Sequence, residues 1–100
     1  MQFFVHLGIR ERSVGRDILT AELVSQEIKE VKELLASGTV LQAWKREDCH
    51  CVVLLVESLS DPECRAVLAG LPFSKAGVLD IQLIVPVEPY LEVYSGRTPE

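Results

Sequence analysis

The spacing of apolar residues divides the chain into short β-type runs and two helical stretches. Residues 1–9 are rich in β-forming side chains, and their apolar positions recur with a period of two. This period places Phe3 and Leu7 on one face and Phe4 and His6 on the other. The pattern therefore predicts a first strand over residues 1–9.

Three further strands and two helices follow from the same reasoning. The predicted strands cover residues 39–46, 51–57 and 78–87. A first helix is predicted between Asp17, a possible N-cap, and Gly38, a residue that ends helices well. A second helix opens with Ser60 and Glu63, which have the spacing of a capping box. We assign residues 71–77 to a loop.

The predicted order is βαββαβ within 100 residues. This is the ferredoxin-like α+β arrangement, a four-stranded antiparallel sheet with two helices on one face. We treat residues 1–100 as one domain in which 87–100 form a C-terminal tail. The run CVVLLVE at 51–57 is apolar on both faces, although two helices cover only one. The uncovered face predicts a homodimer or a higher oligomer.

One carboxylate interrupts the apolar stripe of the first helix. On a wheel of about 100° per residue, Val31 lies at about +40° from Glu27 and Leu34 at about −20°. Burial of an unpaired ionised carboxylate is costly, so Glu27 is expected to be paired, neutral or in a wet pocket. A structural ion pair, a small rotation of the helix toward solvent and an acid/base role all fit this pattern.

The composition of the chain mainly excludes certain classes of function. The net charge of −5 and the pI near 5.0 argue against a nucleic-acid binder and against a basic membrane-surface module. The first residues lack the basic region of a signal peptide, and no stretch approaches the roughly 18 apolar residues of a membrane span. Three cysteines without a secretion signal suggest reduced thiols. We therefore expect a cytoplasmic protein without nucleic-acid or membrane partners.

The sequence Cys49–His50–Cys51 invites a metal-site interpretation, but residues that alternate along a strand do not converge on one ion. No phosphate-binding, haem-ligating or flavin-binding motif is present. We therefore expect no metal and no other cofactor. A nucleophilic Cys51 stays an alternative.

Three stretches make the chain similar to the muconolactone isomerase family and its chloromuconolactone-dehalogenating relatives. They are GTVLQAWKR at 38–46, LPF at 71–73 and LDIQL at 79–83. The similarity extends from MQFFV at the start to about Pro89. It implies a dimeric α/β-barrel, often assembled into larger rings, and a cofactor-free proton shift on a small unsaturated lactone.

The resemblance also suggests site residues. Glu27 stands where the family has a glutamate that is thought to act as acid/base. On the third strand, His50 and Val52 stand where the family has a tyrosine and an asparagine, so the substrate contacts differ. We expect His50 or His6 to orient Glu27 or to stabilise an enolate oxygen. The candidate substrate contacts are Val52, Trp44, Phe4, Val24 and Val31; for Trp44, a core or interface role is the alternative.

The sequence thus predicts a cofactor-independent isomerase that moves a proton on a small unsaturated lactone or enone. Related barrels carry other chemistry, so a cyclase, a dehydratase or a cofactor-free monooxygenase on the same scaffold is an alternative. A ligand-binding or assembly module without enzymatic activity is a further one.

Overall fold

The computed structural model describes residues 1–10 and 18–90. In these ranges the chain forms four strands and three helices. In chain order they are β1 (Gln2–Ile9), α1 (Ala21–Ser37), β2 (Val40–Lys45), β3 (Cys51–Glu57), α2 (Asp61–Ala69), α3 (Pro72–Lys75) and β4 (Leu79–Val87). No helix in the described ranges is long and apolar enough to cross a membrane.

The strands form one antiparallel sheet in the order β2-β3-β1-β4. At its centre, Val5 of β1 lies opposite Leu54 of β3 and Ile84 of β4. A bulge in β4 shifts its register against β1 between His6 and Leu7. With its helices packed on one core, the chain has the predicted ferredoxin-like α+β fold, the fold type of the ferredoxin-like α/β barrels.

The sheet has two unlike faces, which we name here. The covered face carries the buried side chains Phe3, Val5, Leu7, Leu54 and Val56, which pack with residues of α1 and α2. The open face carries the alternate residues of the same strands: Phe4, His6, Trp44, Val53, Leu55 and Leu83. The period of two along β1 that the sequence predicts is therefore present.

The helix ends follow local chemistry, with one correction. The cap of α1 is Thr20, whose hydroxyl accepts a hydrogen bond from the N–H of Leu23, so the helix begins later than a cap at Asp17 implies. Asp17 itself lies outside the described residues. Gly38 ends α1 with φ of 79°, a left-handed conformation that glycine adopts without the strain of a β-carbon.

Two boundaries differ further from prediction. Residues 71–77 do not form a simple loop, because α3 begins at Pro72, whose fixed φ and missing N–H suit the first position of a helix. Ser60 caps α2 as predicted, but the carboxylate of Glu63 accepts from the N–H of Leu59, one residue before the cap. The predicted tail begins later, since β4 includes Val87, and residues 91–100 lie outside the described ranges.

Candidate active site

A cavity of about 210 Å³ lies between α1 and the covered face of the sheet. Such a size suits a single-ring compound. The lining residues come from all four strands and from α1 and α3, together with the residue before α3: Leu7, Glu27, Ile28, Val31, Lys32, Ala43, Val52, Leu54, Leu71, Phe73 and Leu79.

The cavity exists because the two longer helices pack differently on the sheet. Helix α2 buries Cys64 and Leu68 completely in the core. Helix α1 buries none of its residues to that degree, and Val31 and Leu34 reach the core only partly. The space that α1 leaves above the sheet is the cavity.

Glu27 brings a carboxylate to this apolar space. Its Oε1 accepts a hydrogen bond of 3.0 Å from the backbone N–H of Phe73. Partial burial raises the pKa of Glu27 above its ordinary value, and the nearby Glu30 adds to the rise, while the Phe73 N–H acts against it. Glu27 is therefore a carboxyl group that holds a proton more readily than an exposed glutamate does.

The backbone N–H group that donates to Glu27 is available because it lies at the start of α3. The first N–H groups of a helix have no partner within the helix, so they remain available to other acceptors. Phe73 is the second residue of α3, and its N–H bonds to Glu27 across the interface between α1 and α3. The contact therefore satisfies a helix-end donor and fixes one carboxylate oxygen.

Three of the candidate residues predicted from sequence come together here. Glu27 and Val31 project from α1, and Val52 projects from β3 on the opposite wall. Val52 lies opposite Leu7 of β1, which also lines the cavity. The structure therefore places the apolar surroundings of Glu27 where the sequence predicted them for these two valines.

The histidines are not where the predicted Glu–His pair requires them. His50 is exposed in the bend before β3, since regular pairing begins at Cys51, and its carbonyl accepts from the N–H of Ile9. His6 points from the open face, where its Nε2 lies 3.4 Å from Nη1 of Arg46. Neither residue lines the cavity, so the expected contact of His50 or His6 with Glu27 is wrong for this chain.

Three predicted substrate contacts also lie away from the cavity. Phe4 and Trp44 belong to the open face because each occupies the alternate position of its strand, and Trp44 is 49% exposed. Val24 lies nearly one turn before Glu27 and is 37% exposed, while the cavity extends along α1 in the other direction, toward Lys32.

Sequence reasoning missed several wall residues. Ile28 and Lys32 follow Glu27 along α1, and Phe73 belongs to the stretch 71–77 for which the sequence predicts a loop. The pair Leu71–Pro72 held a usable signal, because proline favours the first position of a helix. The hydrogen bond from Phe73 to Glu27 could not be predicted in this way, because it joins residues 46 positions apart.

The thiols do not form part of this cavity. Cys51 is buried, and its place opposite Gly8 puts it on the side of β3 away from α1. Within residues 1–10 and 18–90, no group of three or more His, Cys, Asp or Glu side chains is arranged to hold a metal ion.

Comparison with known proteins supports the fold assignment. Neither family models nor curated protein sequences match the chain. Among solved structures, it is similar to 5-chloro-2-hydroxyhydroquinone dehydrochlorinase (TftG) from Burkholderia phenoliruptrix AC1100, determined in complex with 2,5-dihydroxybenzoquinone. The TM-score is 0.70 at 16% identity, over 88% of this chain and 94% of that one. At this identity the likeness is one of fold.

Proposed function

We propose that this chain is a cofactor-independent enzyme that moves a proton on a small unsaturated lactone or enone, with Glu27 as acid/base. The observation that carries the proposal is a carboxylate of raised pKa in a single-ring-sized apolar cavity. A positioned group whose pKa approaches the working pH both accepts and returns a proton effectively.

The reaction needs one group that acts twice. The Glu27 carboxylate takes a proton from a carbon α or γ to the carbonyl, and the C–H electron pair moves into the conjugated system to give an enolate. The resulting carboxylic acid returns the proton to another carbon of that system, and the carbonyl is restored. Val31 and Val52 keep water away from the carboxyl group, and the Phe73 N–H holds one of its oxygens in place.

Elimination on the same scaffold is the second candidate. TftG is named as a dehydrochlorinase, and an elimination that removes a proton next to a leaving group begins with the same abstraction step. The fold alone does not choose between the two outcomes. A substrate with a leaving group one carbon from the acidic C–H separates them, because halide release marks elimination and a shifted double bond marks isomerisation.

We also propose that the working unit is a homodimer, or an assembly of dimers, in the cytoplasm. The support is the open face, where Trp44 and Leu83 are 49% and 45% exposed on a sheet whose other face is covered. Large exposed apolar patches mark interaction sites in soluble proteins. When a second copy meets this face by two-fold symmetry, the open faces of both copies become covered.

The direct test replaces Glu27 and follows proton exchange. Muconolactone and a β,γ-unsaturated butenolide are incubated with the protein in deuterated water, and deuterium uptake and double-bond migration are followed by NMR. Glu27→Gln keeps the shape and removes the base, so the rate should fall about 10²–10⁴-fold. Glu33→Gln, on the exposed side of the same helix, should keep the full rate.

Glu27→Leu distinguishes catalysis from structure. Leucine completes the apolar stripe of α1, so this variant should fold and should be as inactive as Glu27→Gln. If both variants lose stability while their folded fraction turns over at the full rate, Glu27 is structural and the proposal is wrong.

A further inference from the structure

The cavity has a second charged residue whose chemistry the proposed acid/base step does not use. Of the described residues that line the cavity, Glu27 and Lys32 carry charge and the others are apolar. Lys32 also lines a groove on the outer side of α1, together with Ser25, Ile28, Lys29, Glu33 and Ala36. Because Ile28 and Lys32 border both spaces, they form the rim between the cavity and solvent.

Glu27 and Lys32 do not neutralise each other. They are five residues apart on α1, which separates them by about 7.5 Å along the helix axis and by about 140° around it. In the described part of the chain no ion pair joins them, and Lys32 is not among the causes that shift the pKa of Glu27. The carboxylate and the ammonium group are therefore free to address two ends of one small molecule.

The proposed reaction creates a need that Lys32 can meet. When a base removes a proton next to a carbonyl, negative charge develops on the carbonyl oxygen, and a positioned donor at that oxygen lowers the barrier. The N–H of Phe73 is already bonded to Glu27. The ammonium group of Lys32 has three N–H donors on a flexible stem, and Lys32 borders both the cavity and the outer groove.

We propose that Lys32 binds the oxygen that becomes the enolate, so that substrates are conjugated carbonyl compounds held with this oxygen at the rim and the acidic C–H at Glu27. This inference rests on the proposed function, because it assigns the second end of the same reaction. The proton passes to the Glu27 carboxylate, the C–H electron pair forms the new C=C bond, and the carbonyl π pair moves to the oxygen beside Lys32. Return of the proton reverses the charge movement, so no other reactant is required.

The test uses a stable enolate and needs no turnover. Tetronic acid is a five-membered lactone that is an enolate anion at neutral pH, and its O-methyl ether is a neutral molecule with the same ring. Their dissociation constants are measured by calorimetry for the full chain and for Lys32→Met, which keeps the side-chain length without the charge. Lys29→Met is the matched control, since Lys29 lines the outer groove and not the cavity.

We expect the full chain to bind the anion more tightly than the ether, and Lys32→Met to weaken anion binding about tenfold, as for loss of a charge-assisted hydrogen bond. Ether binding should change little. Lys29→Met should bind both compounds as the full chain does, and Lys32→Arg should restore most of the affinity for the anion.

Three results would overturn the assignment of Lys32. They are anion binding that Lys32→Met leaves intact, an equal loss in Lys29→Met, or no anion binding by the full chain at millimolar concentration. Failure of the acid/base proposal looks different, because it appears as full turnover in Glu27→Gln whatever the lysine variants do.

Discussion

The two faces of the sheet are built from the same strands and meet different surroundings. On the covered face, Phe3 is 2% exposed, and the neighbouring side chains pack with α1 and α2. On the open face, Trp44 and Leu83 are about half exposed, although they are as apolar as their counterparts on the other side. Strand alternation sets which residues share a face, and the helices decide which face becomes the core.

The two faces also divide the site residues that were predicted from the sequence into two groups. The predicted site residues on the covered side, Glu27, Val31 and Val52, meet in the cavity. Phe4, Trp44 and His6 were expected at the same site but lie on the open face, away from the cavity. Chemistry is thus proposed for one face and association for the other.

The largest expected effect comes from adjacent phenylalanines on opposite faces. Phe3→Ala should lower the free energy of unfolding by about 3–5 kcal/mol, because it opens a void in a packed core. Phe4→Ala should cost less than half as much at protein concentrations where the chain is monomeric. Chemical denaturation across a concentration series measures both, and equal losses at every concentration would remove the distinction between the faces.

A charge on the open face should weaken association by tenfold or more. Leu83→Lys places an ammonium group where a second copy is proposed to pack, and a desolvated unpaired charge is costly. Leu59→Lys is the control, since Leu59 is 81% exposed in the connection before α2. Sedimentation should give twice the 11.1 kDa chain mass, or a larger even multiple of it, for the wild type and for Leu59→Lys. A wild type that sediments as a monomer at micromolar concentration would refute the proposed dimer.

The smallest effect is a pH dependence of stability that belongs to the covered face. The folded chain raises the pKa of Glu27 above its ordinary value of 4.5, chiefly by burial, so between these two pKa values the native state binds more protons than the unfolded state. The contribution of Glu27 to stability is therefore fully present below pH 4.5 and is lost as pH rises through the raised value. Partial exposure keeps the effect small.

The matched comparison is with Glu27→Gln, which lacks this titration. Denaturation at several pH values between 4 and 8 should show the wild type losing stability relative to Glu27→Gln as pH rises. A relative gain over this interval would mean that Glu27 is stabilised as a carboxylate, which contradicts a raised pKa.

Local patterns were enough for most of the secondary structure. The third strand, residues 51–57, was predicted with the bounds that the structure gives it, because turn residues stand on both sides of a continuous β-type run. Gly38 marked the end of α1 because a left-handed residue without a β-carbon closes a helix at low cost. The four-residue helix α3 was missed because its apolar pattern is too short to show a helical period.

Contacts distant in sequence limited the prediction of the site. His50 was expected to face α1 from β3, but pairing with β1 ends at Cys51, so His50 lies in the bend. His6 lies on the same face of β1 as Phe4, as predicted. Alternation along a strand, however, defines two faces and does not say which of them packs against the helices. The Glu27–Phe73 bond depends on the packing of α1 against α3, which no local pattern encodes.

The sequence by itself determined the order of the four strands and the two longer helices, the two sets of residues along each strand, and the unusual place of Glu27 in an apolar stripe. These features depend on the backbone periods of 2.0 and 3.6 residues, which act over a few positions. Only the tertiary structure decided that α1 stands off the sheet over a cavity, that a backbone N–H of α3 binds Glu27, and that Lys32 borders the same cavity. Packing between distant segments sets these distances, and local spacing carries no information about them.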